Sequence, residues 1–235
     1  MQNWDGVVDR LKSRFELLRY DLRGHGRSEK RAGPYTLSDF AADHVALLDE
    51  LGWECAHVAG FSLGGIIAQA LARDYPARVD KLVLISAIAG RTEDERARAQ
   101  ARANALAEGG ADTHLDAALD RWFTRGFQAA HPEVIEERKR QAAAQHKACY
   151  AAAYHVLAND DLADDLHRIR HETLVMTGEL DAGSTPRMAA LMAERIPNAS
   201  LQLLPGLKHS VLLEAPELIA SRIEAFLSSP HQGFH

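Results

Sequence analysis

AHVAGFSLGGIIAQALARD, residues 56–74, is the stretch on which the fold turns. Its first six residues form a short apolar run without proline, as a buried strand requires, and from Leu63 onward the apolar residues recur at helical spacing. Between the two lies Gly60-Phe61-Ser62-Leu63-Gly64, a G-x-S-x-G motif. In that context the motif lets the chain reverse from strand to helix within a very short turn. The expectation is a serine thrust out alone at the strand's C-terminal end, with no room for side chains at the flanking positions. The helix that follows aims its free N–H groups and positive dipole end at the same spot, and the N–H of Leu63 becomes a candidate oxyanion donor. The bland alternative is a passive serine in a Gly-rich turn; the strand before it and the helix after it favour the functional reading.

Working outward, short apolar runs alternate with amphipathic stretches, the pattern of a parallel sheet flanked by helices. Strands are expected over 15–22 (FELLRYDL), 56–61, 81–87 (KLVLISA), 173–177 (TLVMT) and 201–204, with helices over 36–51, 63–74 and 215–227. Between residues 88 and 172 the alternation stops. That segment is rich in Ala, Arg and Glu and reads as helix, with breaks expected at Gly109-Gly110, Gly126 and Pro132. The expected architecture is therefore α/β: a core of 1–87 and 173–235, with an all-helical cap inserted after the third strand. The tail SSPHQGFH is expected to be loose.

Composition narrows the function classes. The chain has 235 residues, 27 Lys plus Arg against 33 Asp plus Glu, and a net charge of −6. A slightly acidic chain with no basic block argues against nucleic acid as the partner. No apolar run approaches the ~20 residues of a membrane span, and the start MQNWDGVVDRLKSRF carries charges where a signal peptide needs its apolar stretch. Cys55 and Cys149 are too few for a disulfide framework and suit a reducing cytoplasm. A homo-oligomer is compatible with all of this.

A serine hydroxyl needs a base, and the base needs a group to orient it. Among 12 histidines, His209 is favoured because it lies just past the last strand, in PGLKHSVLLEAPE (205–217), on the same sheet edge as Ser62. For the acid, Asp181 follows the strand TLVMT in the turn GELDAGSTP (178–186), with Glu179 as a nearby rival. Asp160, Asp161, Asp164 and Asp165 read as a solvated acidic face of the cap. The order Ser62, Asp181, His209 agrees with the nucleophile–acid–base order of G-x-S-x-G hydrolases. No metal is expected. His167 and His171 are four apart, but the strand at Thr173 leaves a helix little room to include both, and no HExxH pattern follows.

RYDLRGHGRS (19–28), GFSLGG (60–65), GELDAGSTP and the loop around His209 together resemble the landmarks of the α/β-hydrolase superfamily, in order and out to about Leu227. The resemblance implies that Ser62 attacks a carbonyl, His209 carries the proton and Asp181 orients His209, with neither cofactor nor metal. Serine rather than aspartate at the turn argues against a haloalkane dehalogenase. In the cap, DRWFTRGFQAAHPEVIEER (120–138) and ACYAAAYHVLANDDL (148–162) are similar to the 3-oxoadipate enol-lactonase group, which hydrolyses an enol-lactone in aromatic catabolism. The histidine loop departs from that group's usual form, closer to AHLSNLEAPE. Hydrolysis of a ring-cleavage diketone at a C–C bond uses the same machinery and is the alternative within the enzyme class. Phe61, Trp122, Phe123 and Phe127 are candidate walls of the acyl pocket, against the plainer reading of cap core, and Arg121 or Arg125 is a candidate partner for a substrate carboxylate.

The resemblance also implies a strand between FELLRYDL and AHVAGF, and before Trp4 a His-Gly-type loop supplying the first oxyanion donor. Neither is recognisable here. The expectation is a chain lacking those elements and, as the non-enzymatic alternative, an inactive fragment. Losing one oxyanion donor can cost on the order of 10²–10³ in turnover.

Overall fold

The computed structural model describes residues 2–109 and 115–230. Four parallel strands, β1 (Ala56–Phe61), β2 (Val79–Ile85), β3 (Thr173–Gly178) and β4 (Ala199–Leu204), form one sheet in the order β1-β2-β3-β4. The central strands are apolar almost without interruption because helices cover both faces. On one face Val58, Leu82, Leu84 and Val175 pack against α3 (Leu63–Asp74) and α9 (Pro186–Arg195) through Leu71 and Met192. On the other, Val83, Ile85, Leu174 and Met176 meet α1 (Asp5–Leu11) and α11 (Pro216–Ser228) through Leu11 and Ile223. Successive residues of one strand thus feed two separate cores.

Local chemistry explains most boundaries. Helix α2 (Leu37–Leu51) opens on a capping box between Thr36 and Asp39 and closes on Gly52 in the left-handed conformation. The strand expected over 81–87 lies two residues earlier, at Val79–Ile85, because Ser86 takes φ 45° and leaves the ladder. Lys81 on β2 is 1% exposed. Its ammonium meets the Glu172 carboxylate at 3.0 Å and donates to the Ser229 carbonyl at 2.6 Å, the Ser229 hydroxyl at 3.2 Å and the Phe226 carbonyl at 3.3 Å. The charge is paired, and the end of α11 is tied to the middle of the sheet.

Between β2 and β3 the chain is helical, as expected: α4 (Glu93–Gly109), α5 (Leu115–Trp122), α6 (Arg125–Ala130), α7 (Pro132–Ala143) and α8 (Lys147–Asn159), then a 3-10 turn at Ala163–Arg168. The expected break at Gly126 is not there. Gly126 lies inside α6, and the interruption falls at Phe123 and Thr124, where the Thr124 side chain accepts the N–H of Phe127 and starts a new helix. Helix α4 is described as far as Gly109; Gly110, on which the expected break falls, and the last five residues of the tail lie outside the described residues.

The largest departure concerns residues 15–22. They form no strand: residue 15 is a bend and 16–22 have no regular secondary structure. A strand exists only through hydrogen bonds to a neighbour, and β1 is the edge of the sheet. The space between β1 and 15–22 is instead a cavity of about 920 Å³, lined along all of both segments. Among the described residues no strand lies beside this edge of β1.

Candidate active site

The turn after β1 follows from close packing. A Cβ on Gly60 would overlap the Gly64 carbonyl, and one on Gly65 would sit 2.5 Å from Cβ of Ala87. Gly64 meets nothing within 4 Å, so the space constraint expected on both sides of the serine holds at Gly60 and passes on the other side to Gly65. Ser62 itself takes φ 54°, ψ −115°, a conformation that costs a non-glycine residue strain. Its N–H donates to the Ile85 carbonyl at 3.0 Å, and its carbonyl accepts from Gly65 at 2.8 Å. The side chain is thereby presented into the cavity. Leu63 is the first residue of α3, so its N–H is among the helix-start donors without an intrahelical acceptor.

Two loops beyond β3 and β4 meet Ser62. The turn after β3 buries Asp181 to 3% exposure. One carboxylate oxygen accepts the N–H groups of Gly183 at 2.8 Å and Ser184 at 2.9 Å, and the other lies 2.7 Å from Nδ1 of His209. Burial pushes the Asp181 carboxyl up, but His209 and those two amides outweigh it and hold the group below the usual carboxylate range. An ionised Asp181 can only accept, so Nδ1 of His209 carries the proton and Nε2 is left as the acceptor. Nε2 stands 3.1 Å from the Ser62 hydroxyl.

His209 is fixed from several sides. The bare backbone of Gly178 packs on the carbonyls of Leu207 and Lys208, where a Cβ would not fit. Ser86 donates its hydroxyl to the His209 carbonyl at 3.3 Å, and the N–H of Ser210 donates to the Trp122 carbonyl at 2.9 Å. Glu214, at the end of the short helix α10 (Val211–Glu214), accepts from the N–H of Thr124 at 3.0 Å and from its hydroxyl at 2.6 Å, joining this loop to the α5–α6 junction. The rival acid Glu179 is exposed and takes the Gly206 N–H at 3.1 Å, which fixes the neighbouring turn.

The four candidate pocket residues divide. Phe61 and Trp122 line the cavity, Phe61 with its ring 5.1 Å from that of His209. Phe123 and Phe127 do not line it. Phe123 is fully buried among Leu119 and Ile135, and Phe127 stacks on it at 5.4 Å, so the pair is core between α5, α6 and α7. Lining residues that sequence reasoning missed include His25, Arg102, Tyr150 and Tyr154. The spacing of Tyr150 and Tyr154, one helical turn apart on α8, is the signal that could have found the last two. His171 turns its Nε2 to the Pro76 carbonyl at 2.9 Å, and among the described residues no three His, Cys, Asp or Glu converge as a metal site would need. No described helix is long and apolar enough to cross a membrane.

Comparison with known proteins identifies the fold family. The family model described as alpha/beta hydrolase fold matches residues 1–216. The chain is 31% identical over 226 residues to 3-oxoadipate enol-lactonase 2 of Acinetobacter baylyi, covering 95% of this chain and 83% of the relative. A hydrolase from Pseudomonas aeruginosa superposes with a TM-score of 0.90 at 31% identity, over 97% of this chain and 85% of its own. The enol-lactonase from Burkholderia xenovorans gives 0.89 at 28% identity, over 97% and 86%. The relatives are hydrolases, the sheet is parallel and helix-covered, and the serine turn stands where the motif requires: the chain belongs to the α/β-hydrolase fold family.

Proposed function

We propose that this protein is a serine hydrolase that cleaves a small ester or lactone through an acyl-enzyme on Ser62. The observation that carries the reading is the unbroken relay from Asp181 through His209 to the Ser62 hydroxyl, at 2.7 and 3.1 Å. In the forward step Ser62 Oγ attacks the carbonyl carbon while His209 Nε2 takes its proton. The oxyanion that forms accepts a hydrogen bond from the Leu63 N–H. The C–O bond then breaks, and His209 returns the proton to the departing oxygen, which in a lactone stays tethered to the acyl group. A water activated by the same Nε2 releases the acid and restores Ser62. Asp181 holds the imidazole in the working tautomer and stabilises its cation. The similarity to enol-lactonases supports a lactone or activated ester as the substrate, and the free thiols of Cys55 and Cys149 suit a cytoplasmic enzyme.

The test is the intact mass of the chain after exposure to a fluorophosphonate, with Ser62→Ala alongside. A single adduct that disappears in the variant is the expected outcome. A folded, cooperatively melting chain that takes no adduct, or an adduct that survives in Ser62→Ala, would sink the proposal.

A further inference from the structure

We infer that Glu214 is a positioning residue for His209: by gripping Thr124 at the α5–α6 junction, its carboxylate holds the loop from which Nε2 of His209 reaches Ser62. The inference rests on the hydrolase reading above and adds a residue to its machinery.

His209 and Glu214 stand at opposite ends of a single helical turn. The Ser210 carbonyl starts α10 by accepting the N–H groups of Leu213 at 2.9 Å and Glu214 at 3.0 Å. Four residues are far too few for a helix to persist by itself, so the place of this turn is set by what it touches. Val211 and Leu212 are buried with Val83 and Ile85 of the sheet, whereas Leu213 packs on the cluster of Leu119, Phe123 and Ile135. The turn is thus a short rod between the sheet and the helices that follow β2.

Segments 120–124 and 208–214 lie side by side. Lys208 donates to the Asp120 carbonyl, and the N–H of Ser210 donates to the Trp122 carbonyl at 2.9 Å. Thr124 gives both its N–H and its hydroxyl to Glu214, at 3.0 and 2.6 Å. That last contact is charge-assisted and two-pronged, so it fixes direction as well as distance. The Thr124 hydroxyl also accepts the N–H of Phe127 at 3.2 Å, so it cannot swing away without undoing the start of α6. Trp122, between these anchors, lines the same cavity as Ser62.

The relay tolerates little drift. Nε2 of His209 is 3.1 Å from the Ser62 hydroxyl, and a misplacement of about 1 Å takes such a contact out of reach and can cost about 10²-fold in rate. Asp181 must be charged, because it stabilises a cation on His209. Glu214 grips a backbone N–H and a neutral hydroxyl, so what it supplies is acceptor geometry. An amide in its place can supply the same geometry, which separates the two carboxylates experimentally.

The experiment follows hydrolysis of 4-nitrophenyl acetate together with the ring-nitrogen NMR shifts of His209, which tell a ring held in one tautomer from one that averages between two. Glu214→Ala should lower kcat by about ten- to a hundredfold, with KM within about threefold, and move the His209 shifts towards the averaged pattern. Glu214→Gln should keep kcat within about threefold of native: its amide oxygen still accepts the Thr124 N–H, and the hydroxyl can turn to accept from the amide nitrogen. Glu217→Ala, on α11 and paired with Arg10, should behave as native. A Glu214→Ala chain that melts lower but keeps native kcat and native His209 shifts would show a structural role only and overturn the inference. Glu214→Gln as impaired as Glu214→Ala would overturn it too, since the charge rather than the grip would then matter. If Glu214→Ala does not fold, Thr124→Val decides, because it removes the hydroxyl and leaves the N–H. A fall in kcat of about three- to tenfold at unchanged KM sustains the inference, and native kcat refutes it. If the native chain neither hydrolyses the ester nor takes a fluorophosphonate at Ser62, the hydrolase reading fails by itself. The His209 shifts then decide alone: averaged in Glu214→Ala and native in Glu214→Gln, they sustain the positioning role; native in both, they refute it.

Discussion

β3 and residues 15–22 start from similar sequence and end differently. TLVMTG and FELLRYDL are both short apolar runs that close on a turn bearing polar residues. β3 pairs with β2 on one side and β4 on the other, and all six of its residues are buried. Residues 15–22 face β1 across a cavity and make no ladder; Leu17 is 39% exposed. A parallel strand is therefore a property of its neighbours as much as of its own residues. The consequence reaches the site. Asp181 and His209 arrive from the ends of β3 and β4, while the other flank of β1 brings its residues to the cavity wall without a strand ladder.

The largest expected effect tests whether the β3 flank carries the chemistry. Asp181→Asn keeps the shape of the side chain but presents an N–H or a neutral oxygen to Nδ1 of His209. Turnover of an aryl ester should fall by about 10⁴ while the melting transition stays cooperative. A loss below tenfold would move the orienting role away from this flank.

The next pair sharpens the comparison in stability. Leu174 on β3 is 1% exposed, and Leu174→Ala should cost about 2–5 kcal/mol in denaturant unfolding. Leu17→Ala, on the unpaired segment, should cost no more than about 0.5 kcal/mol. Similar costs would mean that 15–22 is as firmly seated as β3. Hydrogen exchange reads the same contrast amide by amide: Val175 and Met176 should open only with global unfolding, whereas residues 16–22 should exchange through small local openings.

The smallest effect concerns acid. A carboxyl held below its ordinary range contributes stability above pH ~3.9, and that contribution is lost as pH falls through the depressed value. Between pH 5 and 3 the urea midpoint of the native chain should therefore drop more than that of Asp181→Asn. Parallel curves would show that the carboxylate is no better stabilised folded than unfolded.

Much of this was legible in sequence, for identifiable reasons. The serine turn could be read because strand, glycine and helix signals sit within a few residues of each other and the constraint is local. Asp181 and His209 could be found because each follows a strand of a sheet whose C-terminal ends share one edge. What could not be read depended on contacts between distant segments. The strand expected at 15–22 has the right residues but no neighbouring strand among the described residues, and Phe123 and Phe127 turn inward because Leu119 and Ile135 are there to receive them. Arg102 drew no attention in a helix full of charged residues, since only the packing of α4 on α8 puts it beside Tyr154.

The bond network of Lys81 has a practical side. Three of the four oxygens around its ammonium come from Phe226 and Ser229, near the C-terminal limit of the described residues. A protease that trims the chain back past Phe226 would leave a buried cation on the sheet with Glu172 as its chief partner and the acceptors of its other N–H groups gone, and buried donors left unmet are costly. Resistance to carboxypeptidase digestion, followed by mass and by melting temperature together, would then report on the integrity of the whole core rather than on its last turn of helix.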